Sequence, residues 1–291
     1  MYKKFVIAFA MSAWYLYSYS QGWKFDPRID GIQEMMANAT VKLDIVKPVG
    51  KWTGTGVLFH FFDGKDPARQ IQVVLTARHL VEDASTVTIT FPMRFIRSQG
   101  NLTRCDIKYT KDDIRIETHP DAKVDLCAII ISAAVNELRN KGKELIFSFD
   151  TSVLADEKFF EKERPLDPVV MVGYPVGLMD EVNLQPIFRR GVYATNPSID
   201  YMGRKEFLLD IPNNGGSSGS PIFHFDDRMH NDRSCGGANI TIGSRLVMVG
   251  MSFDGGKSAV PVTGPSNSTA WVIKASRIKE LGDMMIAKYI K

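Results

Sequence analysis

Cysteine is scarce in this chain, with three residues among 291. Cys105, Cys127 and Cys235 lack the close spacing of metal-binding cysteines, and their odd number permits one disulfide at most. Cys127 lies in an apolar run and is expected to be a small buried side chain. A multi-disulfide scaffold is therefore excluded, no metal site is predicted, and the 44% hydrophobic content has to supply the core.

A large excess of charge of one sign is also missing. The 36 basic and 33 acidic residues give a net charge of +3. Removal of residues 1–20, which contain two lysines and no acid, would lower it to +1. Proteins that bind phosphate backbones need a strongly basic surface. Nucleic acid is therefore not an expected partner.

The N-terminus has no hydrophobic run of the length typical of a spanning helix. Its apolar stretch, residues 5–17, follows Lys3 and Lys4 and precedes small residues suited to cleavage before Gln21. This pattern is typical of a secretory signal peptide at residues 1–20. It predicts a secreted or periplasmic protein without stable membrane insertion. An uncleaved anchor and a buried N-terminal helix are the alternatives.

What the chain does contain is a glycine- and serine-rich octapeptide at residues 214–221. Such clusters are usually turns between hydrophobic runs. Here Gly216 and Gly219 flank Ser218 and let the main chain adopt conformations closed to residues with a Cβ. We interpret the octapeptide as a backbone that presents Ser218 as a nucleophile, with the Gly216 and Ser218 amides as oxyanion donors.

One histidine of the five follows a strand pattern. His79 comes after residues 73–77, a β-branched apolar run that predicts a buried strand, and before a polar turn at residues 80–83. A strand that ends here brings the imidazole to the rim of a sheet, where one ring nitrogen can reach a serine and the other an acid. The remaining histidines are expected to be surface or packed residues: His60, His119, His224 and His230.

An acid that orients such a histidine has to be largely buried. Most of the 33 acidic residues sit in polar surroundings typical of solvated loops. Asp125 instead opens the apolar run 126–131, where a loop enters the core. By itself Asp125 would be interpreted as the cap of a strand or turn. Together with His79 and Ser218 it completes the chain order His, Asp, Ser.

Three blocks of the sequence resemble the catalytic blocks of the trypsin-like serine peptidases with a chymotrypsin fold: residues 76–79, 124–128 and 216–221. They occur in the family's order, and residues 53–58 resemble its Gly-[Ser/Thr]-Gly strand. The joint signal is strong where each motif alone is only a hypothesis. The pattern from Asn214 to Gly219 is most similar to that of bacterial trypsin-like and HtrA-like peptidases.

The resemblance implies a serine endopeptidase that hydrolyses peptide bonds through an acyl-enzyme, with no cofactor and no metal. It assigns His79 as general base and then acid, Asp125 as its orienter and Ser218 as nucleophile. The backbone amides of Gly216 and Ser218 would form the oxyanion hole. Peptide or protein substrates are the implied partners.

The resemblance also implies residues for substrate binding. Pro212 lies six positions before the nucleophile, at the floor of the family's primary specificity pocket, and Ser252, Phe253 and Asp254 belong to its walls. The strand at residues 250–253 would pair with substrate backbone. Pro212 offers no charge, which favours an apolar or small substrate side chain over lysine or arginine, unless Asp254 reverses that preference.

The implied fold is all-β, with two six-stranded antiparallel β-barrels and a C-terminal α-helix. The expected peptidase domain covers residues 38–290. Its first barrel is predicted at about 41–133, its second at about 168–265 and its helix at about 271–290. Apolar residues at helical spacing near the C-terminus support the last element.

Two other classes of protein compete with the peptidase. A catalytically inactive trypsin-fold protein that binds peptides or a protein partner would keep the barrels, but the three intact catalytic positions argue against it. An esterase with the α/β-hydrolase fold would need Gly-x-Ser-x-Gly and an acid between serine and histidine. Here the histidine comes first. The natural substrate and the oligomeric state are not determined by these patterns.

Overall fold

The computed structural model describes residues 31–66, 69–95, 102–226, 229–232, 239–242, 245–253 and 267–290. The predicted signal segment 1–20 and the predicted pocket residue Asp254 lie outside the described residues. Within the described ranges, no helix combines the length and the apolar character needed to cross a membrane.

The N-terminal half forms an antiparallel sheet of eight strands. The strands are β1 (Thr40–Lys47), β2 (Gly50–Phe62), β3 (Gln70–Thr76), β4 (Thr86–Phe95), β5 (Leu102–Thr110), β6 (Ile116–Thr118), β7 (Cys127–Ile130) and β8 (Lys143–Leu145). Seven of them pair in the order β5-β4-β1-β2-β3-β7-β6, and β8 adds to β4. The long, buried strands β2 and β3 form the middle of this sheet.

The C-terminal half forms a closed antiparallel barrel of six strands. They are β9 (Pro168–Gly173), β10 (Ile187–Tyr193), β11 (Glu206–Asn213), β12 (Pro221–Asp226), β15 (Arg245–Phe253) and β16 (Asn267–Lys274). The pairing order is β10-β11-β16-β15-β12-β9, and β9 closes the barrel on β10. A separate hairpin consists of β13 (Met229–Asp232) and β14 (Asn239–Ile242).

The prediction of a six-stranded barrel is confirmed for the second half. The first half has eight strands, and β5 and β6, at the two ends of its path, do not pair with each other among the described residues. The strands in excess of six are the three-residue β6 and β8. Segments this short carry too little alternation of apolar and polar residues to be recognised in a sequence.

Five α-helices occur in the described part: α1 (Ile32–Ala39), α2 (Arg78–Val81), α3 (Ser132–Asn140), α4 (Glu157–Phe160) and α5 (Ala275–Tyr289). The predicted C-terminal helix is confirmed as α5. It begins at Ala275, because residues 271–274 complete β16 and pair with β11 and β15. The main-chain N–H and C=O groups of these residues are bonded to the neighbouring strands, so the helix starts only after β16 ends.

The hydrophobic core consists of two clusters. One fills the interior of the barrel, and the other lies between the first sheet, α5 and the outer face of β12 and β15. At the seam between the halves, the rings of Phe149 and Phe223 lie 5.4 Å apart. Phe149 is bonded through its main chain to Leu58 and His60 of β2, so this apolar contact packs β2 of the first sheet against β12 of the barrel.

Candidate active site

His79 lies directly after the strand β3. The buried Thr76 ends this strand, and its hydroxyl donates to the carbonyl of Thr55 on β2 at 2.7 Å. Helix α2 then begins at Arg78, and its buried Leu80 holds the helical turn on the core. The strand predicted before His79 is confirmed, and a helical turn follows it. The His79 side chain remains 37% exposed, so its ring is open to a reaction partner.

Asp125 holds His79 through both carboxylate oxygens. Oδ1 accepts the His79 main-chain N–H at 2.8 Å, and Oδ2 lies 2.5 Å from the ring nitrogen Nδ1. The Asp125 carbonyl also accepts the Arg78 N–H at 3.3 Å. Because an ionised carboxylate only accepts hydrogen bonds, Nδ1 has to carry the proton. Nε2 of His79 is then left with a lone pair that can accept a proton.

The segment around Ser218 consists of two consecutive turns. Residues 214–217 and residues 217–220 are each closed by a main-chain hydrogen bond of 3.0 Å from the last N–H to the first carbonyl. The third residue of each turn is a glycine with positive φ, 89° at Gly216 and 86° at Gly219. Type II turns require such a residue at this position. The predicted nucleophile thus lies between two tight bends, in a half-buried position.

This pair of turns, which we call the nucleophile turn (residues 214–220), packs on the strands that lead to His79. The Thr55 N–H donates to the Ser218 carbonyl at 2.9 Å. A Cβ on Gly219 would lie 1.9 Å from the Thr55 carbonyl oxygen and 2.5 Å from Thr76 Oγ1, so only glycine permits this approach. The contacts attach Ser218 to the end of β3 that carries His79. Its hydroxyl makes no hydrogen bond within the described part of the chain; such bonds are often long until substrate binds.

Three main-chain N–H groups of the nucleophile turn have no acceptor among the described residues: those of Gly215, Gly216 and Ser218. The last two are the predicted oxyanion donors. The preceding carbonyls are both engaged, since Gly215 accepts from the Val176 N–H at 2.5 Å and Ser217 accepts the bond that closes the second turn. The described part contains no cis peptide bond, and the N–H of a trans peptide points away from its carbonyl. Both N–H groups are therefore directed away from these contacts and are available to an anionic oxygen.

Thr55 supports this arrangement and was not singled out by sequence reasoning. Its buried hydroxyl donates to the Gly216 carbonyl at 2.8 Å and accepts from the Tyr174 N–H at 3.0 Å. One side chain of the first sheet thereby joins the nucleophile turn to the strand end of β9. The Gly-Thr-Gly pattern around Thr55 was the only signal in the sequence.

The predicted wall residues lie on β15, next to the nucleophile turn. The main chain of Ser252 bonds to residues 219–220, with its N–H donating at 2.8 Å and its carbonyl accepting at 2.7 Å. Phe253 is buried, and its ring centroid lies 6.3 Å from that of Trp271. Asp254 lies outside the described residues. The structure thus brings Ser252 to the nucleophile turn, whereas Phe253 packs on the Trp271 ring of β16.

Pro212 is exposed, and its carbonyl has a cationic partner from a neighbouring strand. Nη1 of Arg189 donates to the Pro212 carbonyl at 2.5 Å and to Asn214 Oδ1 at 2.9 Å. Arg189 belongs to β10, so this contact ties the barrel wall to the entry of the nucleophile turn. Only the folded barrel brings the two segments together.

The other histidines have different roles in the fold. His60 shares a hydrogen bond of 3.0 Å with Ser148, and His224 lies between two carboxylates. His119 is buried, and desolvation lowers its pKa. The side chain of His230 lies outside the described part. None of the other described histidines adjoins the nucleophile turn through a contact, which leaves His79 as the candidate.

The contacts of His79, Asp125 and the nucleophile turn agree with the chain order His, Asp, Ser. Comparison with protein families then decides to which family the chain belongs. A family model of the trypsin-like peptidase domain matches residues 54–229, more than half of the chain. The chain belongs to the trypsin-like peptidase family. The match includes all three candidate positions of this trypsin-like domain, His79, Asp125 and Ser218. No curated protein sequence matches the chain significantly.

Comparison with solved structures finds similar proteins at low sequence identity. A variant of the HtrA-type protease AlgW with tripeptide is 14% identical with a TM-score of 0.50, and the match covers 87% of this chain and 61% of that chain. A serine endoprotease from Yersinia pestis is 14% identical, with a TM-score of 0.45 and coverages of 88% and 67%. The MamO protease domain from Magnetospirillum magneticum is 14% identical, with a TM-score of 0.46 and coverages of 85% and 97%. The chain therefore spans about three fifths of AlgW, and that likeness shows the fold alone.

Proposed function

We propose that this trypsin-like protein is a serine endopeptidase with the triad His79, Asp125 and Ser218. The observation that carries the proposal is the pair of hydrogen bonds between the Asp125 carboxylate and His79, one at the main-chain N–H and one at Nδ1. An aspartate that fixes both the position and the tautomer of a histidine is what general-base activation of a serine needs. The amides of Gly216 and Ser218, which have no acceptor in the described part of the chain, support the same reaction.

In the first step Ser218 Oγ bonds to the carbonyl carbon of the substrate and transfers its proton to His79 Nε2. The carbonyl oxygen becomes an anion and accepts hydrogen bonds from the Gly216 and Ser218 amides. General-base assistance contributes roughly 10²–10⁴-fold in rate, and one oxyanion donor roughly 10²–10³-fold. Asp125 stabilises the imidazolium that forms in this step.

In the second step the carbon–nitrogen bond breaks, and His79 returns the proton to the leaving amine. The substrate's acyl group is then esterified to Ser218. Water attacks this ester, with its proton taken by His79, and the carbon–oxygen bond to Ser218 breaks as the hydroxyl is regenerated. No cofactor enters these steps.

For specificity we infer an apolar or small side chain before the cleaved bond. Pro212 has no charge, and the Arg189 guanidinium lies 2.5 Å from its carbonyl. A cation at this place disfavours a substrate lysine or arginine by like-charge repulsion. A peptide-library cleavage profile tests the inference; predominant cleavage after lysine or arginine would contradict it.

Two finer proposals accompany the main one. We infer that the eight-stranded sheet serves as the first barrel of the family, since β2 and β3 carry Thr55 and lead to His79 as that role requires. We also propose that residues 1–20 direct export. N-terminal sequencing of the mature protein tests the second proposal, and the expected first residue is Gln21.

The decisive experiment is labelling of pure protein with a fluorophosphonate, which reacts only with an activated serine. We expect stoichiometric labelling of the wild type and none of Ser218→Ala. Ser152→Ala is the matched control, because Ser152 is exposed in a short 3₁₀ helix and its hydroxyl makes no hydrogen bond within the described ranges. A folded wild type that does not react would instead support an inactive trypsin-fold protein that binds peptides.

A further inference from the structure

Asp125 is the last residue of a short loop that leaves β6 and returns to β7. We call residues 119–125 the acid loop. Its base is closed by a main-chain hydrogen bond of 3.0 Å from the His119 N–H to the Leu126 carbonyl. The position of the Asp125 carboxylate therefore depends on the path that the chain takes between these two residues.

This path is set by side chains that bond to the main chain two residues further on. Nδ1 of His119 lies 3.0 Å from the Asp121 N–H, and Oδ1 of Asp121 accepts the Lys123 N–H at 3.0 Å. The Asp121 carbonyl also accepts the Val124 N–H at 3.0 Å. Such bonds imitate a backbone turn. Each turn starts from a residue that the preceding one places, and the series ends beside Asp125.

His119 is the first residue of this series, and its side chain is only 1% exposed. Burial lowers the pKa of His119 from 6.5, so the ring is neutral at pH 7. The Asp121 N–H can only donate and lies closer to Nδ1 than the Asp121 carbonyl, which is at 3.4 Å. Nδ1 is therefore the acceptor, and Nε2 carries the proton of the ring. Nε2 faces helix α5, at 3.3 Å from Oε2 of Glu280.

Two residues one turn apart on α5, Arg277 and Glu280, face the acid loop. Glu280 lies next to His119, and Nη2 of Arg277 lies 3.7 Å from Oδ2 of Asp121. Nη1 of Arg277 donates to Glu280 Oε2 at 2.8 Å, and Lys205 donates to Glu280 Oε1 at 3.2 Å. The other face of α5 packs in the hydrophobic core through Ile278, Leu281 and Met285. The helix is therefore a fixed base for the acid loop.

We propose that His119 is a positioning residue that acts through the acid loop to hold the Asp125 carboxylate on His79. The proposal rests on the proposed function, since it assigns the support of the triad acid to α5. An imidazole suits this place because one small ring offers an acceptor to the loop and a donor to the helix. Without the acceptor the Asp121 N–H is released, the first turn opens, and Asp125 loses its alignment with the Nδ1–H of His79.

Proton NMR of the pure protein tests this through the Nδ1–H of His79. A proton in a short hydrogen bond between imidazole and carboxylate resonates far downfield of other protein protons, so its signal reports the contact with Asp125. We expect a sharp signal in wild type and a signal weakened by exchange with water in His119→Leu. His119→Asn should restore the signal, because an asparagine Oδ1 accepts an N–H two residues on.

The rate constant of fluorophosphonate labelling is the second readout. It should fall about tenfold in His119→Leu and recover to within about twofold of wild type in His119→Asn. A merely structural role would lower the melting temperature and leave the rate of the folded molecules unchanged. Lys279→Gln is the matched control on α5, since Lys279 and its partner Asp283 are both exposed, and it should behave like wild type in both readouts.

If His119→Leu does not fold, Arg277→Gln takes its place. This variant removes the contact with Asp121 from a partly exposed position, and labelling should slow about threefold with a weakened downfield signal. The proposal is overturned if wild type shows no downfield signal, or if the folded test variant keeps the wild-type signal and rate. It is also overturned if His119→Asn is no better than a folded His119→Leu.

Failure of the peptidase proposal is recognised separately. The downfield signal depends on His79 and Asp125 and not on the reactivity of Ser218. A wild type that shows the signal but does not react with fluorophosphonate would contradict the nucleophile, and the comparison of signals among the His119 variants would still decide the positioning role.

Discussion

The unfolding free energy of this protein should decrease between pH 6.5 and pH 9 because of His224. This residue lies on β12 with Nδ1 at 3.0 Å from Glu163 and Nε2 at 2.9 Å from Asp226. The His224 and Phe159 rings form a T-shaped pair with centroids 5.3 Å apart, and the Arg245 guanidinium lies 4.9 Å from the centroid of the Phe159 ring. The His224 side chain is only 11% exposed, so both carboxylates act on it with little screening.

The sign and size follow from the pKa. Burial by itself lowers the pKa of His224, but the hydrogen bonds to Asp226 and Glu163 outweigh it and raise the pKa from 6.5 to about 9. The folded state therefore holds a proton that the unfolded state has lost above pH 6.5. The resulting stabilisation is complete below pH 6.5 and is lost as the pH rises through 9. Its slope is about 1.4 kcal/mol per pH unit, and its total is about 3 kcal/mol.

Urea unfolding of wild type and His224→Gln, measured at steps from pH 6 to pH 9.5, is the assay. The difference in unfolding free energy between the two proteins should shrink by about 3 kcal/mol over this range. His60→Gln serves as control. Desolvation lowers the pKa of His60 below 6.5, so the contribution of this residue to the unfolding free energy does not decrease between pH 6.5 and pH 9. A difference that stays constant with pH would refute the assignment of the proton to His224.

Three further predictions concern the nucleophile turn and its support. Gly219→Ala should abolish fluorophosphonate labelling and strongly lower the melting temperature, because the new Cβ clashes with the Thr55 carbonyl. Gly142→Ala is the control: Gly142 also has positive φ but open space around it, so the unfolding free energy should fall by only about 1 kcal/mol. Thr55→Val should slow fluorophosphonate labelling about tenfold or more by releasing the Gly216 carbonyl, and Thr55→Ser should restore the rate; equal rates in both variants would contradict that role. Tyr174→Phe should lower the unfolding free energy by about 1 kcal/mol, since it removes a buried hydrogen bond, and a change below the error of urea titration would count against it.

The candidate site shows how far local sequence patterns reach. The run before His79 predicted a strand because buried strands need β-branched apolar residues, and β3 is present there. The apolar run after Asp125 likewise lies in the core, as the strand β7. Glycines on either side of Ser218 predicted bends because positive φ is rarely open to other residues, and Gly216 and Gly219 have it. These features depend on a few neighbouring residues, so they are readable in the chain.

Contacts between distant segments were not readable in the same way. Thr55 and Gly216 are 161 positions apart, yet one hydroxyl joins them. Arg189 looks like surface charge until the barrel brings it to Pro212. The start of α5 likewise depends on how far the barrel ladder extends, which is set by pairing with two other strands and not by helical spacing.

The sequence by itself thus determined which residue types stand at which strand ends and bends, and through them the trypsin-like character of the chain. Only the tertiary structure decided that the first half uses eight strands, that Asp125 binds His79 at two atoms, and that Arg189 donates to the Pro212 carbonyl. The physical reason is that backbone preference and burial act locally, whereas hydrogen bonds and charges across the seam depend on the position of every strand between them.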